Sequence, residues 1–184
     1  MIGQDLLLET VPWSPVKRYV ARPSNLGSAW IHGIDLETRL QVRDFWKAGP
    51  KFNITAGLNL ARSQLSTVPG PDNQMADQTP WAAKMGGTYK LQEWPLELSA
   101  DAHWTPSVWT RISAAQRVFQ DRQFTMSWQA AWTVAPNTRV RLVVDQWTLR
   151  GFQKLEEFGA PVEVIRETDL RKHARVALRL ELKF

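Results

Sequence analysis

The sequence predicts an all-β fold of antiparallel strands that cross a lipid bilayer as barrel wall. Three observations carry this expectation: long stretches of strict two-residue alternation, connectors that take turns between short and long, and a heavy supply of tryptophan. Ten Trp stand beside only two Tyr in 184 residues that are 43% hydrophobic. A soluble domain would have to hide that bulk in one core, whereas a membrane boundary offers indoles a second place. Mean hydropathy is slightly negative and no long apolar run exists, which excludes a helical span but not a barrel, whose apolar residues occupy every second position.

The clearest stretch is residues 34–43, where Ile34, Leu36, Leu40 and Val42 alternate with Asp35, Glu37, Arg39, Gln41 and Arg43, and Thr38 fills the remaining apolar slot. One face needs water and the other an apolar medium. Phe52, Ile54, Ala56, Leu58 and Leu60 repeat the pattern, followed by Ala83, Met85, Tyr89 and Leu91 against Lys84, Thr88, Lys90 and Gln92. Trp94, Leu96, Leu98, Ala100, Ala102 and Trp104 then oppose Glu97, Ser99, Asp101, His103 and Thr105. Phe124, Met126, Trp128, Ala130, Trp132 and Val134 form the next set, and 138–147 is less regular, with Val143 in a polar slot. Ala174, Val176, Leu178, Leu180, Leu182 and Phe184 close the chain against Arg175, Arg179, Glu181 and Lys183. Each stretch exceeds a usual soluble strand of about 5–6 residues and matches the ~9–11 that a tilted strand needs to cross a bilayer. A β-sandwich or a lipocalin-like binding barrel alternates in the same way and is the soluble alternative.

Short connectors at 44–50, 92–95 and 135–137 alternate with long ones at 66–79, 113–121 and 151–168. Outer-membrane barrels have short periplasmic turns and long outside loops, so the asymmetry supplies an orientation. On that assignment residues 1–10 make a first crossing, and residues 18–42 return as one long strand broken or bulged near Asn25 and Gly27. Six further crossings give a total of eight. Phe45, Trp46, Trp94, Trp132 and Phe184 fall beside the short turns, and Trp30, Trp81, Trp104 and Trp147 toward the long loops, the arrangement of two aromatic girdles. Gln74, Trp109, Arg111, Gln116, Arg117, Phe152 and Lys154, in or near the long connectors, are the candidate ligand contacts.

The net charge of +5 is spread among apolar residues without a basic stripe, which speaks against nucleic acid. With no cysteine, isolated His32, His103 and His173, and no nucleophile beside a base, no catalytic or metal constellation is expected and no cofactor is implied. Asp101 and His103 share a face and read as a solvated pair. The first residues lack the features of a secretory signal, so an exported protein would carry its leader ahead of this segment.

Arg18-Tyr19, then Asn25-Leu26-Gly27-Ser28-Ala29 and Gly33-Ile34-Asp35-Leu36-Glu37, resemble the TonB-dependent receptors of the Gram-negative outer membrane. In that family a segment of the type Asn-x-Gly-x-Ala, then Gly-Val-Glu-x-Glu, occupies one barrel strand; Ile34 and Asp35 depart mildly from it. The strand from Lys51, Pro69-Gly70, Thr79-Pro80, Gln116 and a terminal Phe184 follow in the family's order. The resemblance implies residues 1–184 as the C-terminal section, about eight strands, of a 22-stranded barrel without its plug domain or early strands. It implies import of a scarce ligand such as a siderophore–iron complex or cobalamin, with TonB engaged only through the absent plug. Val176, Leu178, Leu180, Leu182 and Phe184 look like the signal read by the barrel-assembly machinery, with outer-membrane lipid as the other partner. An autonomous eight-stranded barrel with a structural, adhesive or small-pore role is the alternative.

Overall fold

Strands whose side chains alternate leave both backbone edges free to pair, and here every pairing is antiparallel. The computed structural model describes residues 2–25, 27–76, 78–148, 151–159, 161–170 and 173–183, with backbone alone for 2–7, 19, 21 and 23–25. A ribbon of β1 (Ile2–Glu9) and β2 (Arg18–Asn25) comes first. Next are β3 (Ala29–Gln41), a single helical turn α1 (Val42–Phe45), β4 (Lys51–Leu65), β5 (Trp81–Lys90) and β6 (Leu96–Thr105). Then come β7 (Val108–Ser113), β8 (Gln116–Gln120), β9 (Gln123–Ala135) and β10 (Thr138–Trp147). The chain closes with β11 (Phe152–Phe158), β12 (Val164–Leu170) and β13 (Arg175–Leu182).

Seven strands in the order β13-β10-β9-β6-β5-β4-β3 make one sheet, the wall; β12-β11-β8-β7 make a second, the cap. The wall is an up-and-down meander. Its short connectors, 42–50, 91–95 and 136–137, lie at one end, and its long ones at the other. The cap strands are the long connectors themselves: β7 and β8 leave the wall between β6 and β9, β11 and β12 between β10 and β13, and β8 pairs with β11 to join them. The wall does not close into a barrel. Among the described residues each of its edge strands, β3 and β13, pairs on one side only, and both run from the long-connector end to the short.

Several expectations are corrected here. Residues 1–10 make no crossing of the wall: the register sets Ile2 against Asn25, so β1 stops short of Ala29, the first wall position, and lies beyond the wall's end near β7. Segments 113–121 and 151–168 are not plain loops but contain β8, β11 and β12. Val42 and Arg43 leave the strand for a helical turn, closed by the Trp46 amide donating to the Val42 carbonyl at 2.9 Å, which reverses the chain toward β4. The expected break between Arg18 and Val42 is present. Gly27 takes φ +72°, a left-handed conformation suited to glycine, and a side chain there would meet Ser66 Oγ and Thr67 Cγ2 at 2.8 Å.

Burial is uneven. Leu65, Val68, Val108, Val118 and Phe158 are buried at the cap and its junction with β4, together with Ser63, Thr110 and Ser113. In the wall Ala131 is the only buried apolar residue, among those described, outside that junction.

Candidate functional site

Ladder registers fix which side chains share a face. Across β3 to β6, Leu36 faces Leu58, then Ala83, then Trp104; Leu40 faces Ile54, Gly87 and Ala100. Leu98, Ala130, Leu142 and Leu178 continue the next row to the far edge, with Trp132, Val140 and Leu180 below it. All seven strands therefore contribute to one apolar face. It is open: Met85 is 63% exposed, Val176 68%, Leu178 74%, Leu180 62% and Leu182 53%. An apolar surface this extensive far exceeds what a soluble monomer leaves uncovered.

Tryptophans mark its upper margin obliquely. Trp81 is level with Ile34, four residues beyond Trp30 on β3; Trp104 is level with Leu36; Trp147 is level with Thr38. The band thus slides eight residues along the strands while crossing five strand spacings from β3 to β10. At about 3.3 Å per residue and ~4.8 Å per spacing, it lies roughly 45° from the hydrogen-bond rows. That is the tilt of strands in a transmembrane barrel. Trp147 joins the band through a bulge: three residues of β10, from Val144, span two of β9, and Gln146 at φ +56° absorbs the extra one. The indoles meet in pairs, Trp81 with Trp104 at 4.1 Å and Trp128 with Trp147 at 6.3 Å. Trp128 was missing from the girdle expected on sequence order, because only the bulge brings Trp147 to it. At the short-turn end Phe45, Trp46, Trp94 and Trp132 are exposed. Phe184 lies outside the described residues.

The opposite face is polar and carries several internal pairs. The registers place Asp35, Glu37, Arg39, Lys84, Lys90, Glu97, Asp101, Arg141, Asp145, Arg175, Arg179 and Glu181 on it together. Lys84 Nζ reaches Glu37 Oε1 at 3.0 Å across β4, which is possible because Gly57 lies between them; a Cβ at Gly57 would overlap the Lys84 stem. Asn59 donates to Asp35 at 2.9 Å and Ser127 to Asp145 at 2.7 Å. Glu97 holds Lys90 at 3.2 Å and Arg139 at 3.4 Å, and Arg141 pairs with Glu181 at 3.0 Å.

At the long-connector end, residues 66–76 lace the wall to the cap along the free edge of β7. The Arg111 amide donates to the Asp72 carbonyl at 2.6 Å, and Gln74 Nε2 to the Trp109 carbonyl at 2.9 Å. Asn73 Nδ2 donates to the carbonyls of Leu65 and Val68, both at 3.0 Å, folding the loop back on β4. Arg117 lies 4.5 Å over the Trp109 ring, pairs with Asp72 at 3.0 Å and approaches Glu157 at 3.8 Å; Trp109 also meets Phe119 at 5.1 Å.

The cap therefore brings four candidate ligand contacts together: Gln74, Trp109 and Arg117 through side-chain contacts with the protein, and Arg111 through its backbone amide, while the Nε atoms of Arg111 and Arg117 are buried without a hydrogen-bond partner among the described residues. Gln116 opens β8 opposite Phe158. Phe152 and Lys154 stand apart on β11, with Lys154 paired to Glu156 at 2.9 Å. Asp72, Asn73 and Glu157, which complete the cluster, carried no periodic signal because they sit in a loop and a half-buried strand. Set beside known protein families, curated proteins and solved structures, the chain matches none of them.

Proposed function

We propose that the chain is wall and outside cap of an outer-membrane β-barrel of the TonB-dependent receptor type, its C-terminal section, serving uptake of a scarce ligand such as an iron chelate or cobalamin. One observation carries the membrane part of this reading: an exposed apolar face spanning seven strands, bounded by an indole band that runs at the tilt angle of a bilayer-crossing strand. The polar face would border the aqueous interior and the plug, and the cap would stand outside, where an arriving ligand first meets protein. The receptor part is supported by the order of sequence segments that resemble that family, from Asn25-Leu26-Gly27-Ser28-Ala29 to the alternation ending at Leu182.

The membrane part is tested by folding the 184-residue chain in the presence of lipid vesicles whose acyl chains carry bromine. Strong quenching of tryptophan fluorescence and retention on the vesicles after an alkaline wash are expected. A protein that is monodisperse in plain buffer and stays unquenched when the brominated vesicles are added would overturn it and favour the soluble lipocalin-like reading. For the receptor part, a strain lacking the gene is expected to lose uptake of one labelled iron chelate or of labelled cobalamin. Undiminished uptake of every such ligand would leave a barrel without that transport role.

A further inference from the structure

The alternation that puts Phe52, Ile54, Leu58 and Leu60 on the apolar face continues along β4 to Arg62. Among the described residues of the seven wall strands, Arg62 is the one permanently charged side chain on that face. It is exposed and makes no ion pair or hydrogen bond with any described residue. A guanidinium offers five donors and no acceptor, so an apolar setting leaves a strong demand for an anion unmet.

Its position along β4 is specific. Arg62 pairs with His32, one ladder row beyond Trp81 and one short of Trp30, so it occupies the place on β4 through which the oblique indole band passes. His32 stacks on Trp30 with ring centroids 4.6 Å apart and planes 11° from parallel, which sets its imidazole beside the Arg62 position. A cleft of about 910 Å³ opens there, lined by Trp30, His32, Arg62 and Gln64 and bordered by Pro71 and Asn73 of the long loop. Indoles mark the boundary between hydrocarbon and headgroups, the depth at which lipid phosphates lie, and long basic side chains reach toward that boundary from the span.

From this charge complementarity we infer that Arg62, with His32, seats the phosphate of an anionic membrane lipid, its headgroup held between Trp30 and Trp81 and its acyl chains lying along Ile34 and Leu58. The inference rests on the bilayer-facing reading of the wall. Arg62 supplies the charge and the forked donors, and His32 one further donor.

The test uses the whole chain folded into mixed vesicles in which either phosphatidylglycerol or phosphatidylcholine carries the bromine, with tryptophan quenching as the readout of which lipid sits beside the indoles. Phosphatidylglycerol is expected to be preferred about five-fold, the scale of one basic side chain at an anionic surface. Arg62→Gln should reduce the preference to near parity, Arg62→Lys should keep part of it, and Arg179→Gln on the opposite face should leave it unchanged. Inorganic phosphate at the concentration of the lipid headgroups should not displace it. Equal quenching by both lipids, a preference that survives Arg62→Gln, or displacement by inorganic phosphate would each overturn the inference while leaving the membrane reading in place. No quenching by either lipid would overturn both.

Discussion

Wall and cap are built from the same element, the antiparallel strand, and they hold together in different ways. In the wall each strand carries one apolar and one polar face, little is buried among the described residues outside the junction at Leu65, and Leu178 stands 74% exposed. In the cap β7, β8 and β11 are half covered by other protein, with Val108, Val118 and Phe158 buried on one side and the Trp109–Phe119–Arg117 stack on the other, while β12 stays mostly exposed. The difference teaches that the wall leaves its apolar face uncovered by the described residues, while the cap covers part of its own.

Substitutions can break that contrast at graded cost. The largest effect is expected for Leu180→Arg, which should impair insertion by about 2–4 kcal/mol, the cost of a cation near the bilayer midplane, with Arg179→Leu much better tolerated. Denaturant titration of vesicle-folded protein measures both, and equal tolerance would abolish the two-face assignment. Phe158→Ala should cost the cap about 3 kcal/mol, as a buried aromatic leaves a cavity. Protease cleavage within 66–80 should then quicken while lipid quenching of the wall stays constant; a parallel loss of quenching would mean that wall and cap fold as one unit. Arg117→Ala, which removes a partly exposed ion pair and a cation–π contact, is worth about 1 kcal/mol and should free the 66–80 loop without unfolding β7. Hydrogen exchange at the Arg111 amide, bonded to Asp72, reads this directly. The smallest effect belongs to Gly57→Ala. It should keep the sheet intact but push the Lys84 stem aside, so that Glu37→Gln has no further consequence in the double variant; additive effects would show that the two side chains do not act together.

The same contrast explains what the sequence made legible. From Ile34 to Leu40 and from Phe52 to Leu60 each face is of one polarity, so hydropathy alternates and the strands and their faces can be read. In β7 the inward positions are Val108, Thr110 and Ser113, two of them hydroxyls, and no apolar period survives to announce a strand. Residues of β11 are half-buried on both sides, which erases alternation again. Pairing partners of β1 were illegible for another reason: its register with β2 is a long-range choice that places it past the wall, and local pattern carries no information about that. Of the proposed sites, the girdle was legible because aromatic position tracks connector length. The cluster of Gln74, Trp109 and Arg117 was only half legible: composition pointed to these side chains, but their mutual contacts arise from a loop folding back through Asn73.

The two bare edges of the wall point the same way, since six antiparallel steps separate β3 from β13. Bringing them together would create a parallel seam, and joining identical copies edge to edge in one membrane orientation would repeat that mismatch at every junction. Parity therefore excludes an all-antiparallel ring made of this sheet alone or of several copies of it. Any alternating cylinder that includes it has to draw an odd number of staves from elsewhere.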